Sequence, residues 1–101
     1  MKSKRSKACD IPQKIKKIVW ERDGERCIIC GSRIAMPNAH YIPRSKGGLG
    51  IEQNIVTLCQ SCHYSYDFGG GETRENLGKS IEKYLIKKYA DWNKENLIFR
   101  R

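Results

Sequence analysis

Two Cys-x-x-Cys pairs limit what this chain can fold into more than any other feature of its sequence. Cys27 and Cys30 form the first pair, and Cys59 and Cys62 form the second. Two residues between the sulfurs allow both thiolates of a pair to reach one ion, so the two pairs predict a tetrahedral four-sulfur zinc site. Because four sulfurs leave no open coordination position, this zinc is expected to be structural. The competing interpretation, a redox Cys-x-x-Cys motif, lacks the strand-helix-strand pattern of thioredoxin-like proteins.

A zinc clamp suits a chain of this length. The 101 residues are enough for one domain with a modest core, and small zinc domains gain an apparent ~10–16 kcal/mol from the ion. The odd count of five cysteines, their paired spacing and the missing apolar segment behind the basic N-terminus predict reduced thiols in a cytoplasm. No apolar run approaches the ~20 residues of a transmembrane helix, so no membrane partner is expected. Cys9 lies outside both pairs and is interpreted as a spare thiol, with accessory metal binding as the alternative.

The formal charge of +9 is concentrated in the two flanks of the chain. Residues 1–26 carry nine Lys or Arg against four acids, residues 79–101 carry seven against three, and residues 27–78 carry four of each. Basic flanks around a neutral centre suit a domain that grips a polyanion such as nucleic acid at its edges. Ordinary solubility, or loose attraction to acidic surfaces, is the alternative explanation.

Apolar periodicity predicts a flexible basic arm over 1–10 and a single domain over 11–101. A helix is expected from about Pro12 to Asp23-Gly24, with Asp10 as its cap. Short extended segments are expected at 26–29, 39–42, 55–58 and 97–99, and helices at 60–68 and 74–92. The apolar stripe of the last helix serves either a core or a dimer interface.

The 28 residues between Cys30 and Cys59 exceed the ~15–20 of a compact four-cysteine site. This insertion contains His40 and Asn54. After Cys62 come His63 and, four residues later, Asp67, which share a helix face and can converge on one cation. Taken singly, these residues also fit ordinary structural roles. His40 could be a packed histidine, Asn54 a turn residue, and His63 with Asp67 a hydrogen-bonded pair on the surface.

In this order, His40, Asn54 and His63 inside a Cys-x-x-Cys frame, the chain resembles the HNH endonucleases of the ββα-metal family. The resemblance is to the small zinc-stapled type of phages and bacteria, with a core motif over 26–68. It implies an α+β fold, a ββα-metal core with a four-cysteine structural zinc and flanking N-terminal and C-terminal helices. The implied function is a metal-dependent DNA endonuclease or nickase that leaves 5′-phosphate and 3′-hydroxyl ends.

The resemblance also implies roles for individual residues. His40 is the expected general base, Asn54 the residue that braces the hairpin loop, and His63 with Asp67 the ligands of a catalytic divalent cation such as Mg²⁺ or Mn²⁺. Arg44 and Lys46 are candidate phosphate contacts, and DNA is expected to bind with low sequence specificity.

One position departs from the family. Many members carry a metal-binding Asp or His just before the general base, where this chain has Ala39, with Asn38 as a strained substitute. The alternative function is therefore a catalytically weak or inactive zinc-stabilised module that binds DNA or assists phage packaging proteins. The chain is expected to be a monomer or dimer in a bacterial or phage-infected cytosol.

Overall fold

The computed structural model describes residues 3–100 of the chain. They form helices α1 (Lys4–Cys9) and α2 (Gln13–Arg22), strands β1 (Ala35–His40) and β2 (Ile55–Cys59), and helices α3 (Gln60–Phe68) and α4 (Gly71–Lys88). Two 3-10 turns lie at Arg44–Lys46 and Lys94–Leu97. The strands pair antiparallel in a two-stranded sheet, and α3 follows β2 without a loop. The predicted α+β class and its ββα core are confirmed.

The first strand lies later in the chain than the sequence predicted. Residues 26–29 form turns instead of a strand, because the Cys27 amide donates to the Ser32 carbonyl (2.9 Å) and the Gly31 amide to the Cys27 carbonyl (3.0 Å). Gly31 has a φ of 78°, which only glycine adopts readily. β1 then covers Ala35–His40 and not 39–42, and its last residue, His40, pairs with Ile55.

The N-terminal segment contains a helix where a flexible arm was predicted, although residues 1 and 2 lie outside the described part. The Ser3 side chain caps α1 by accepting from the Ser6 amide at 3.1 Å. Cys9, at the end of α1, is buried, and the Gly50 amide donates to the Ala8 carbonyl at 3.0 Å. A helix of six residues is unstable alone. It is stabilised here by contacts with a loop that is distant in the sequence, and the local charge pattern therefore does not predict this helix.

Helix α2 confirms the helix predicted between Pro12 and Asp23-Gly24, but its cap differs. Pro12 is the N-cap, and Asp10 ends α1 instead. At the other end, the buried Asp23 carboxylate accepts from the Thr57 amide (2.8 Å) and the Tyr84 hydroxyl (2.6 Å). This carboxylate therefore joins the end of α2 to β2 and α4.

Helix α4 packs against α3 and directs its apolar stripe into the core. Ile81 and Leu85 are fully buried in the core, so within residues 3–100 the stripe serves the protein's own interior. α4 starts and ends earlier than the predicted 74–92. The predicted strand at 97–99 is reduced to one bridge between Gly48 and Ile98, beside the buried Leu97. In the described range, no helix has the length and apolar character needed to cross a membrane.

Candidate metal centre and cleft

Four cysteines from the turn after α2, the end of β2 and the start of α3 come together. Their Sγ atoms all lie within 4.8 Å of one another, and the sulfurs of Cys30 and Cys59 are 3.5 Å apart. Sulfurs around tetrahedral zinc, with Zn–S of ~2.3 Å, are ~3.8 Å apart, so this spacing fits one ion. Cys27, Cys30, Cys59 and Cys62 are thus placed to hold a metal ion such as zinc, while Cys9 lies outside the group.

The four thiols influence one another's ionisation. Burial raises the pKa of Cys27, but the backbone N–H groups of Cys30, Cys59 and Ile29 outweigh it and lower the pKa to about 7. Burial and the thiols of Cys59 and Cys27 raise the pKa of Cys62 well above its usual range. One thiolate therefore suppresses the next unless a cation offsets the repulsion. Metal affinity at this cluster is expected to fall as the pH falls.

Helix α3 places a second pair of ligand-type side chains beside the cluster. His63 Nε2 lies 3.1 Å from Asp67 Oδ2, as the i, i+4 spacing predicted. Neighbouring residues on a helix point about 100° apart. Cys62 points toward the other three cysteines, so the adjacent His63 points in a different direction. The two side chains are 29% and 39% exposed, which leaves them accessible from solvent.

His40, at the end of β1, faces the same region and has a defined hydrogen-bond partner. Its Nε2 lies 2.8 Å from the Cys9 carbonyl oxygen, which can only accept. Nε2 therefore carries the ring proton and Nδ1 carries the lone pair. Burial lowers the pKa of His40, and the charges of Arg44 and His63 act in the same direction, although the Cys9 carbonyl opposes them. The balance of these effects favours the neutral imidazole.

Asn54 is fully buried and fastens both ends of the loop that follows His40. Its Oδ1 accepts from the Ile42 amide (2.8 Å), and its Nδ2 donates to the carbonyls of Leu49 (2.9 Å) and Ile42 (3.2 Å). Only glycine fits at position 48 beside the Asn54 side chain, because a Cβ there would overlap the Ile42 carbonyl. These hydrogen bonds hold the two ends of the loop together, while the role that the resemblance implies for Asn54 stays a prediction.

His40, His63 and Asp67 line one open cleft of about 1010 Å³. Arg44 and Lys46 also line this cleft, and Arg44 forms an ion pair with Asp10 at 2.9 Å. Lys16 and Arg74 line the cleft as well. The sequence led us to expect contacts with the DNA backbone from the basic residues of both helices but did not single out these two, since their positions on α2 and α4 become adjacent to the loop only through tertiary packing.

The position before the expected base provides no ligand. Ala39 is 1% exposed and belongs to the hydrophobic core, so its side chain points away from the cleft. Asn38 does line the cleft, next to an irregularity in the pairing of β1 with β2, and its Oδ1 is buried without a hydrogen-bond partner. The chain therefore has fewer charged groups for a cation here than the family pattern implies.

Comparison with known proteins agrees with this geometry. A family model for HNH endonuclease matches residues 27–69. A relative named Anaredoxin, from Nostoc sp., is 38% identical over 58 residues, which cover 56% of this chain and 76% of that protein. No solved structure matches the chain. The family match includes both cysteine pairs together with His40, Asn54, His63 and Asp67, and the chain therefore belongs to the HNH endonuclease family.

Proposed function

We propose that this chain is a divalent-cation-dependent DNA endonuclease or nickase that hydrolyses phosphodiester bonds to 5′-phosphate and 3′-hydroxyl ends. The observation that carries the proposal is the hydrogen bond of His40 to the Cys9 carbonyl, in a cleft that also contains the His63–Asp67 pair. This bond selects the tautomer in which Nδ1 accepts a proton. A general base of this kind contributes typically 10²–10⁴-fold to the rate.

The surrounding residues position the substrate and the base. Lys16, Arg44, Lys46 and Arg74 attract the phosphates of a DNA strand into the cleft. His40 Nδ1 takes a proton from the attacking water, while Asn54 keeps the loop after His40 in one conformation. His63 and Asp67 would hold the divalent cation, which when bound would supply positive charge to a phosphate oxygen and to the leaving 3′ oxygen.

Ala39 favours a second candidate function. Since its methyl group is buried in the core, position 39 adds no ligand to the His63–Asp67 pair. A cation held by so few charged groups binds weakly until the phosphate adds its own oxygens. The second candidate is therefore a zinc-stabilised DNA-binding or phage-packaging accessory module with little or no catalysis.

Supercoiled plasmid separates the two candidates. The protein is incubated with plasmid and Mg²⁺ or Mn²⁺, and nicked DNA is then treated with DNA ligase. Nicks that the ligase seals carry 5′-phosphate and 3′-hydroxyl ends. The enzyme predicts ligatable nicks that disappear with a chelator, whereas band shifts without cleavage at any metal concentration indicate the binding module.

Two variants test the role of His40. His40→Ala removes both the base and the bond to Cys9. His40→Gln retains an amide N–H that can donate to the Cys9 carbonyl, but it cannot accept the proton at neutral pH. We expect both to lose about 10²–10⁴-fold in rate while their zinc content and circular dichroism stay unchanged. Full activity of His40→Gln contradicts general-base catalysis by this residue.

A further inference from the structure

Two exposed aromatic residues accompany the ligand pair along α3. Tyr64 is 65% exposed and Phe68 is 72% exposed. Their rings contact each other, with centroids 5.1 Å apart. They occupy positions i and i+4, as His63 and Asp67 do, but on a stripe rotated by about 100°. The aromatic stripe therefore runs parallel to the stripe of proposed cation ligands.

The core of the protein does not account for these rings. α3 buries Tyr66, which is 4% exposed and donates its hydroxyl proton to the Tyr41 carbonyl at 2.6 Å. Two residues on a helix span about 200°, so Tyr64 and Phe68 both point away from the side that Tyr66 packs into the core. A helix face that needed only solubility would carry polar residues at these positions.

Phe68 also belongs to the cleft. Phe68 lines this cleft together with Asp67, and the cations Lys16, Lys46 and Arg74 line the cleft too. A cationic cleft attracts the phosphates of a strand, and a nucleobase lies one sugar away from its phosphate. Cations that track a backbone, with aromatic rings that receive its bases, are the combination found in proteins that bind single-stranded nucleic acid.

We propose that Phe68, supported by Tyr64, stacks on an unpaired nucleobase next to the scissile phosphate, so that the cleft prefers DNA with a single-stranded, mismatched or bulged position. This inference rests on the proposed function and specifies its substrate class. A paired base presents no free face to Phe68 because its neighbours in the duplex cover both sides. Stacking is sequence-tolerant, since every base has a π-face, which agrees with the low sequence specificity expected for this chain.

The test measures binding without cleavage, in the His40→Gln background. Three DNAs of one sequence are compared: a perfect duplex, the same duplex with one mismatch, and the single strand, each with 2-aminopurine at the position in question. We expect tighter binding and quenched fluorescence for the mismatched and single-stranded DNAs. Phe68→Ala should weaken binding to these two by roughly 5- to 150-fold, remove the quenching and leave duplex binding nearly unchanged.

Two control variants make the result specific. Phe68→Trp keeps an aromatic face and should retain the preference. Ile34 is 88% exposed but lies outside the cleft, so Ile34→Ala, which also removes an exposed apolar side chain, should change nothing. Equal loss on paired and unpaired DNA in Phe68→Ala, or no loss, overturns the inference. So does a change of Phe68→Ala from dimer to monomer in sedimentation, which assigns the rings to a second copy of the chain.

Failure of this inference and failure of the nuclease proposal give different results. If the protein nicks plasmid but Phe68→Ala binds and cleaves all three DNAs as the parent does, the nuclease stands and the stacking role is wrong. If the protein never cleaves but still prefers unpaired DNA through Phe68, the nuclease proposal fails while the stacking role is supported.

Discussion

The cysteine cluster and the cleft lie on two sides of one helix, and their side chains offer a cation very different surroundings. The cluster supplies four sulfurs within 4.8 Å of one another, the number that a tetrahedral zinc ion needs. The cleft supplies His63 and Asp67, both partly exposed, beside a space of about 1010 Å³. A closed shell stabilises the fold and excludes substrate, whereas an open one leaves room for water and a phosphate. Helix α3 contributes to both because Cys62 and His63 are adjacent in the chain.

The two regions also differ in what keeps them in shape. At the cluster, an ion held by the four sulfurs would tie the turn after α2 to the end of β2 and the start of α3, which adds a constraint to the apolar packing there. The cleft is built by ordinary hydrogen bonds, such as those of Asn54 with the loop and of His40 with the Cys9 carbonyl. We therefore expect substitutions in the cluster to change stability and substitutions in the cleft to change activity. A change in one region should have little effect on the property that the other region governs.

The largest effect should follow removal of a cluster ligand. Cys59→Ser is expected to lose the ion and unfold the domain, since structural zinc contributes an apparent ~10–16 kcal/mol to small zinc domains. Metal analysis and thermal unfolding by circular dichroism measure both changes. Cys9→Ala is the matched control, because Cys9 is buried but lies outside the cluster. It should keep one tightly held ion per chain. A folded Cys59→Ser protein would show that the cluster is dispensable, and visible absorption from bound iron would indicate a redox centre.

The next effect concerns activity alone. Asp67→Asn removes the only carboxylate of the pair, and we expect at least ~10²-fold slower nicking, since charge stabilisation by a cation contributes several kcal/mol and each ~1.4 kcal/mol is tenfold. Raising Mn²⁺ should restore part of the rate if weak cation binding is the cause. Tightly bound zinc and the unfolding temperature should not change. Ser61→Ala, an exposed position on the same helix, serves as the control. Loss of zinc in Asp67→Asn would mean that the two sites are coupled.

The cluster and the ligand pair were predictable from the sequence because their spacing is local. Two residues between cysteines and three between His63 and Asp67 determine which atoms can meet, whatever surrounds them. The rest of the cleft depends on contacts between distant segments. His40 and Cys9 are 31 residues apart, and no pattern in residues 3–10 indicates that their helix supplies a carbonyl to β1. Residues 26–29 were predicted to be extended for their apolar character, but the turn at Gly31 that collects the thiols prevents it.

A smaller effect is expected where the cleft depends on a buried amide. Asn54→Ala leaves the Ile42 amide and the Leu49 carbonyl without this partner, at a cost of roughly 1–3 kcal/mol for each buried group left unpaired. Stability should fall and nicking should slow, while the cluster keeps its zinc. Thr57→Val is the control, since the Thr57 hydroxyl is buried without a partner and its loss should change stability by less than about 1 kcal/mol. Chemical denaturation and the plasmid assay measure the two consequences. Equal behaviour of the two variants would remove Asn54 as the brace of the loop.

The smallest expected effect is a shift in the pH dependence of the nuclease activity. Burial lowers the pKa of His40 below its ordinary value of 6.5, and Arg44 lowers it further. A base must be neutral, so activity is retained as the pH falls past 6.5 and is lost only on passing the lower folded-state pKa. kcat/KM measured against pH reports this group in the free enzyme. Arg44→Gln removes a positive charge and should move the acid limb toward higher pH. Lys46→Gln removes a cation of the same loop that has no resolved influence on His40, so its acid limb should stay in place. If both variants shift the limb equally, the net charge of the cleft sets the profile; if neither does, the titrating group is not His40.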